Sequence, residues 1–370
     1  MNHNRARKLS VVMLSASLSL LLAACHAVPP GQGSSSVQES SQAASSEQSS
    51  SAPVSSEPAS SAENSSEQTV ELEGEKVPAS AASGKGGDDG QKQEQPAADV
   101  NVRPVLTHVL SPVAAGTAVL ENESALLDYS NAGQGYVMLN YKGTNSKVKT
   151  RVQKNGGTVY TYSIPVGSNY HTFPLTEGNG DYTVSVFENV TGNQYVQVFG
   201  ETVSVALENN FLPFLYPNQY VSFSEGSKAV ALGAELAAKA SDDMGTVTQI
   251  YNYTIKNITY DDAKAASVQS GYLPNVDSVL ASKKGICFDY AALMTAMLRS
   301  QNIPTKLVVG YAGDLYHAWI SVYLKESGWV DNAIYFDGKN WKLMDPTFAS
   351  GSSSYQDVAN PSTYQAKYIY

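Results

Sequence analysis

Three side chains in the last third of this 370-residue chain are of types that can combine for chemistry: Cys287, His317 and Asp345. Cys287 stands just before an apolar run that predicts a buried helix over residues 289–299. A thiolate at a helix start is stabilised by unpaired backbone N–H groups and by the positive end of the helix dipole. His317 opens a predicted strand, and Asp345 closes another.

Taken singly, each of these residues has an ordinary structural explanation. A Cys is more often a buried small side chain than a nucleophile, and a His at a strand start is more often exposed or hydrogen-bonded than catalytic. Asp345 precedes Pro346 and fits a turn. In antiparallel strands, however, the start of the His317 strand and the end of the Asp345 strand can share one edge of a sheet. An imidazole at that edge can face a helix tip.

The segments around these residues resemble the transglutaminase-like superfamily. Its pattern is a Cys at a helix start, a His-Ala-Trp strand and a Trp-x-x-x-Asp-Pro-Thr strand, which this chain has as Cys287, residues 317–319 and residues 341–347. The family's Arg-Ala-x-Gly-Ile-Pro and Gly-Tyr elements have similar counterparts within residues 299–311. The resemblance spans residues 251–348.

The resemblance implies a papain-like fold and thiol acyl transfer on peptide or protein amide bonds, through a thioester intermediate. It implies Cys287 as the nucleophile, His317 as the general base and then acid, and Asp345 as the group that orients the imidazole. The backbone N–H of Cys287 is a natural oxyanion donor. Tyr260 and Asn257 are candidates for the second donor.

Two departures from the family pattern affect the expected activity. The family's His-Ala-Trp is commonly followed by x-Glu, whereas Ile320 and Ser321 stand here. Animal transglutaminases have a Trp upstream of the Cys that helps to bind the oxyanion, whereas all three Trp residues of this chain follow His317. Hydrolysis is therefore favoured over amine-selective cross-linking. Asp289, close to the helix start, is expected to stabilise the helix N-terminus.

The elements that must position these residues change in type after Pro217. Two helices and four strands are predicted after it, at residues 227–240, 246–257, 306–311, 316–324, 329–336 and 340–344. Asp337 and Gly338 supply a tight hairpin turn. Helices followed by an antiparallel sheet predict an α+β catalytic domain over residues 208–370.

Residues 101–207 instead alternate apolar and polar side chains with a period of two. The clearest strands are residues 136–141, 148–152, 159–163, 182–187 and 195–199. Glycine-containing turns lie between them, so the pattern predicts an immunoglobulin-like β-sandwich. The tyrosines on these strands are expected to pack in the core. The alternative is an exposed aromatic face that contacts a cell-wall polymer.

Residues 26–100 have the composition of a disordered tether. Ser, Glu, Gln, Ala and Pro dominate this segment, and no Phe, Tyr or Trp occurs before Tyr129. Such a segment lacks the apolar area that would offset the entropy of ordering it. A coil of this length has an end-to-end distance on the order of 50 Å, which suits carrying a folded domain away from a membrane.

Residues 1–25 have the features of a secretory signal. Basic residues precede an apolar run, residues 11–24, that is too short to span a bilayer as a mature helix. The run ends in Leu-Ala-Ala-Cys25, which resembles the lipobox of bacterial lipoproteins. The resemblance implies that Cys25 is lipidated and anchors the protein to membrane lipid on the extracytoplasmic face. Cys287 then has no cysteine partner within the chain.

Composition and motifs exclude several functions. The formal net charge of −10 argues against nucleic-acid or anionic-lipid binding. The sequence has no metal-ligand cluster of usable spacing, no phosphate loop and no dinucleotide fingerprint, so no cofactor is predicted. The leading prediction is a cell-surface thiol acyltransferase or cysteine peptidase. The alternative is a non-catalytic surface adhesin or wall-binding protein.

Overall fold

The computed structural model of the protein describes residues 69–72, 78, 106, 108–165, 167, 169–331 and 364–370. Contacts divide the chain into two units, Met1–Glu63 and Asn64–Tyr370, and every described residue belongs to the second. Cys25 and Asp345 lie outside the described residues. Within the described part of the chain, no helix is both long and apolar enough to cross a membrane.

Two antiparallel β-sheets form the first part of this unit. One has the order β2-β3-β4-β7, with strands Val119–Glu121, Ala125–Asp128, Tyr136–Tyr141 and Tyr170–Pro174. The other has the order β1-β9-β8-β5-β6, with strands Thr69–Glu71, Gln194–Val205, Gly180–Thr191, Val148–Lys154 and Val159–Ile164. The five strands predicted from alternation are present as β4, β5, β6, β8 and β9. The predicted β-sandwich is confirmed.

Burial with a period of two explains how these strands assemble. In β6, Tyr160, Tyr162 and Ile164 are buried, whereas the residues between them are partly exposed. Gly156, in the turn between β5 and β6, has a φ of +73°, a conformation that glycine adopts without steric cost. These tyrosines therefore pack in the core, as expected, and do not form an exposed aromatic face.

Among the described residues after the sandwich, the chain forms five α-helices: α1 (Lys228–Ala237), α2 (Asp243–Asn257), α3 (Asp262–Ser267), α4 (Val276–Ser282) and α5 (Cys287–Ser300). Asp242, Asp261 and Asn275 cap α2, α3 and α4 by accepting a backbone N–H three residues further on. The predicted helices correspond to α1, α2 and α5. The other two have six and seven residues, too few to show a helical period in the sequence.

A four-stranded antiparallel sheet in the order β14-β13-β12-β15 lies after the helices. Its strands are β12 (Thr305–Ala312), β13 (Leu315–Leu324), β14 (Gly328–Val330) and β15 (Tyr364–Ile369). The α+β prediction is confirmed. β12 and β13 match predicted strands, β14 matches the start of predicted strand 329–336, and β15 is not among those predicted. The predicted strand 340–344 and its hairpin turn lie outside the described residues.

One hydrophobic cluster runs from the sandwich into α5 and the C-terminal sheet. The rings of Tyr160 and Tyr162 meet Tyr370 at centroid distances of 5.7 and 6.0 Å. Tyr220 stacks on Tyr162 and packs against Phe288 of α5. The sandwich thus supports the helix on which Cys287 lies through Tyr220, a residue of the segment that follows the sandwich.

The edge strand β1 lies within the segment predicted to be a tether. It pairs antiparallel with β9, and Leu72 packs with Phe187 and Tyr195 in a small separate cluster. The structure differs here from the expectation of a disordered segment. The reason is local: residues 69–72 alternate polar and apolar side chains, so strand pairing gives them backbone hydrogen bonds and one buried Leu.

Candidate active site

Cys287 is the first residue of α5, two residues before the predicted helix start. Ile286 before it is extended, with φ −92° and ψ 173°, so the chain turns into the helix at the thiol. The two residues of β11 (Lys284–Gly285) pair in parallel with β10 (Thr259–Tyr260), which fixes the approach to the helix. Cys287 is fully buried and is not in a disulfide.

A buried polar cluster holds this helix start. Asp289 Oδ2 accepts the backbone N–H of Ile286 at 2.9 Å and the Lys264 ammonium at 2.6 Å. Its Oδ1 accepts the Tyr272 hydroxyl at 2.6 Å, and Lys264 also donates to Tyr272. Burial, together with the charge and the hydrogen bond of Asp289, raises the pKa of Tyr272. Asp289 thus stabilises the N-terminus of α5, as expected.

Lys264 balances the buried negative charge of Asp289 at the start of α5, because its ammonium lies 2.6 Å from Asp289 Oδ2. Gly285 permits the close packing of this cluster, because a Cβ at this position would lie 2.7 Å from the Asp289 Cβ. Gly285 therefore has a packing role at the start of α5.

His317 lies near the start of β13, where it pairs with Gly310 of β12. Its side chain is fully buried. Its ring lies nearly parallel to that of Trp319, with centroids 6.4 Å apart, and edge-on to Tyr364 at the same distance. These aromatic contacts fix the plane of the imidazole.

Helix α5 and strand β13 pack together, with the C-terminal end of α5 near the C-terminal part of β13. Arg299, in the last turn of α5, donates Nε to the Thr305 carbonyl at 2.9 Å, and Thr305 pairs with Val322 of β13. Helix α5 rises about 18 Å between Arg299 and Cys287, its first residue. His317 lies about 17 Å from Val322, toward the start of β13. The two lengths let Cys287 and His317 lie at the same end of the packed pair.

Strand alternation assigns the His317 side chain to one face of the sheet. Trp319 and Ser321 share this face, whereas Ala318 and Ile320 on the other face join the core cluster that includes α5. A cavity of about 290 Å³ lies on the His317 face, lined by Lys306, Val308, Trp319, Ser321, Asp331, Tyr364, Ala366 and Ile369. Direct pairing of Cys287 with His317 stays a prediction.

The thiol has a contact that the sequence does not suggest. Cys287 Sγ donates a hydrogen bond to the carbonyl oxygen of Pro78 at 3.1 Å, and Pro78 is buried. Pro78 lies far from the helix in sequence, within the predicted tether.

The sequence of this part of the chain matches a known family. The model of the transglutaminase-like superfamily matches residues 230–346, which include Cys287, His317 and Asp345. Residues 230–346 carry a transglutaminase-like domain. The resemblance stated from the sequence is confirmed for this region.

Two curated relatives match less than half of the chain. An uncharacterized protein of Bacillus subtilis, YebA, is 23% identical over 185 residues, which are 44% of this chain and 25% of that protein. The UPF0252 protein MJ1282 of Methanocaldococcus jannaschii is 28% identical over 170 residues, which are 42% of this chain and 47% of that protein. The chain thus spans at most about half the length of these relatives.

Comparison with solved structures finds weak structural similarity. A candidate cysteine protease from Cytophaga hutchinsonii has a TM-score of 0.29 and 16% identity, covering 60% of this chain and 74% of that one. Red sea bream transglutaminase has a TM-score of 0.23 and 12% identity, covering 68% and 52%. TM-scores this low do not establish a common overall architecture, so the family match rests on sequence.

The remaining predicted site residues of the transglutaminase-like domain have different surroundings. Tyr260 pairs with Gly285 in the β10–β11 ladder, beside the start of α5. Asn257 is exposed at the end of α2 and donates Nδ2 to the Tyr253 carbonyl at 2.8 Å. Asp345 lies outside the described residues.

Proposed function

We propose that the protein is a cysteine-dependent amide hydrolase or acyltransferase, with Cys287 as nucleophile, His317 as general base and then acid, and Asp345 as the group that orients the imidazole. One observation carries this proposal: an unbridged thiol is the first residue of a buried helix within the transglutaminase-like domain. A helix start supplies unpaired N–H groups and a positive dipole end, which favour the thiolate.

In the proposed reaction, His317 takes the proton of the Cys287 thiol, and the sulfur attacks the carbonyl carbon of an amide. The oxygen becomes an oxyanion, to which the backbone N–H of Cys287 donates in this proposal, with Tyr260 as a candidate second donor. Collapse of this intermediate forms the thioester while His317 protonates the leaving amine. Water then attacks the thioester and releases the acid, or a second amine attacks and forms a new amide.

The proposed substrate is a peptide or protein at the cell surface. The support is the family match together with the lipobox-like sequence at Cys25. In this proposal Cys25 is acylated, and the protein is anchored to the extracytoplasmic face of the cell membrane. We expect Cys25→Ser to move the protein out of the membrane fraction, because stable anchoring needs the acyl chains. Quantitative retention of the variant with membranes would contradict the anchor.

The activity is tested by incubating the full chain with a peptide library, with and without a primary amine, and identifying the products by mass. We expect hydrolysis products, with amine adducts as a minor fraction, and loss of both in Cys287→Ala. The Tyr260→Phe variant serves as a matched probe of the second oxyanion donor, with an expected loss of about 10²-fold in turnover if the hydroxyl has that role. Equal product formation by the native protein and Cys287→Ala would contradict the proposal and favour a binding protein.

A further inference from the structure

The segment that carries β1, Leu72 and Pro78 contacts the folded unit at two places. At the first, its backbone extends the sandwich sheet, with Thr69 opposite Val196 and Glu71 opposite Gln194 of β9. The Leu72 N–H continues this ladder to the carbonyl of Asn193 at 2.9 Å. An extended peptide added to a sheet edge is held by main-chain hydrogen bonds, and pockets for its side chains give specificity.

Leu72 supplies such a side-chain anchor. It is 2% exposed and packs with Phe187 and Tyr195 in a cluster separate from the main core. Val70, two residues earlier in the same strand, is 36% exposed. Within described residues 69–72, the attachment therefore consists of one buried Leu side chain and a short ladder of backbone hydrogen bonds.

The second contact covers the thiol. The Pro78 carbonyl oxygen accepts the Cys287 Sγ hydrogen at 3.1 Å, and both residues are buried. A thiol can donate this hydrogen bond only while it keeps its proton, whereas the nucleophile is the thiolate. The Pro78 carbonyl also occupies the space beside the sulfur that the carbonyl of a substrate needs.

The two contacts are close enough along the chain to act together. Leu72 and Pro78 are six residues apart, so an extended connection reaches at most about 20 Å. A short tether gives its free end an effective concentration in the millimolar range. Docking of Leu72 on β9 therefore keeps Pro78 near Cys287, and loss of the anchor releases it.

We propose that this segment is an intramolecular strap, in which β1 and Leu72 dock on β9 and the Pro78 carbonyl accepts the hydrogen of the Cys287 thiol and shields the sulfur. The strap rests on the proposed function, because a thiol that is not a nucleophile needs no cover. Activity requires the strap to leave.

The test measures the rate at which iodoacetamide alkylates Cys287 in the full chain, with the Cys287 and Cys25 peptides quantified separately by mass. We expect Leu72→Asp to raise the rate at Cys287 about tenfold or more, because burial of one Leu side chain is worth at least one order of magnitude in a docking equilibrium. Leu72→Ala is expected to raise it less. Val70→Ala is the matched control on the same strand and is expected to leave the rate within about twofold.

Thermal unfolding of each variant shows whether faster alkylation comes from the strap or from global unfolding. If Leu72→Asp does not fold, the alkylation rate of Leu72→Ala is measured instead, at a temperature below the unfolding midpoint of that variant. Adding a synthetic peptide of residues 64–82 to Leu72→Ala is then expected to slow the alkylation of Cys287 again. Unchanged rates in both Leu72 variants, or a peptide without effect, overturn the strap. Faster alkylation without turnover of any peptide keeps the strap and removes the proposed function. Cys287-dependent turnover of a peptide, with unchanged alkylation in the Leu72 variants, keeps the proposed function and overturns the strap.

Discussion

Helix α5 buries a charged side chain in its first turn and another in its last, and the two charges are compensated in different ways. Asp289 is fully buried and forms an ion pair with Lys264, whose side chain is 27% exposed. Arg299 is buried and donates to three backbone oxygens, those of Thr305, Tyr216 and Tyr370, at 2.9, 2.6 and 2.8 Å. Both charges have the sign that the helix dipole favours at their end.

This difference in charge compensation distinguishes the C-terminal end of α5, at Arg299, which we call the structural end, from the N-terminal end, at Asp289 and Cys287, which we call the functional end. The Arg299 end joins three distant parts of the chain through fixed backbone groups, and burial lowers the pKa of Arg299 to about 9, which still leaves it charged at neutral pH. The Asp289 end holds the thiol through side chains, one of which reaches solvent. Side chains can rearrange at lower cost than backbone carbonyls in a core. The proposed nucleophile therefore lies at the more adaptable end.

The largest expected effect is at the structural end. Arg299→Met leaves three backbone oxygens without their donor in a buried site, and we expect a loss of about 3–5 kcal/mol in the free energy of unfolding. Urea denaturation followed by circular dichroism measures it. Arg299→Lys keeps the charge but not the planar fork of donors, so we expect an intermediate loss. A loss below about 1 kcal/mol in Arg299→Met would show that water replaces the guanidinium.

A smaller loss is expected at the functional end. Asp289→Ala removes the cap of the Ile286 N–H and leaves Lys264 unpaired, but the partly exposed ammonium can be hydrated, so we expect a loss of about 2–3 kcal/mol. Turnover should fall about tenfold as the thiol loses its fixed position, with KM little changed.

The double variant Asp289→Ala with Lys264→Met is the control for charge. If the unpaired ammonium causes part of the loss, the double variant should be more stable than Asp289→Ala alone. Strict additivity of the two substitutions would mean that Asp289 and Lys264 do not interact across their 2.6 Å contact, and the contrast between the two ends would disappear.

The sequence predicts helix α5 and the position of Cys287 at its start, but not the partners of the charged side chains at its two ends. The apolar run of residues 289–299 predicts the helix and puts Cys287 at its start, because helical period and a local motif are both readable within one segment. The partners of Asp289 come from α3 and the loop after it, and those of Arg299 from three further segments. Such contacts between distant segments leave no periodic signal in a single sequence.

The sequence analysis does not predict the strap contacts of β1 and Pro78, and the reason is a different one. A Ser-rich composition predicts disorder over residues 26–100 because it averages over many positions. Residues 69–72 depart from that average only by a short alternation, and Pro78 gives no local signal for its contact with Cys287. Four residues of alternating pattern are too few to predict a strand without knowledge of the free edge at β9.

The smallest expected effect is a pH dependence at the Asp289 end. Burial and the charge of Asp289 raise the pKa of Tyr272 above that of the unfolded chain, about 10. Above that pH the folded state keeps a proton that the unfolded state has released, so the contribution of Tyr272 to stability is complete below pH 10 and is lost as the pH rises further. The advantage of the native protein over Tyr272→Phe should shrink by up to about 1.4 kcal/mol per pH unit. Urea denaturation of both proteins between pH 8 and 11 measures this difference, and titrating groups that do not contact Tyr272 contribute equally to both. Parallel stability curves would show that Tyr272 ionises in the folded state as it does in the unfolded chain, and that the cluster at the start of α5 is open to water.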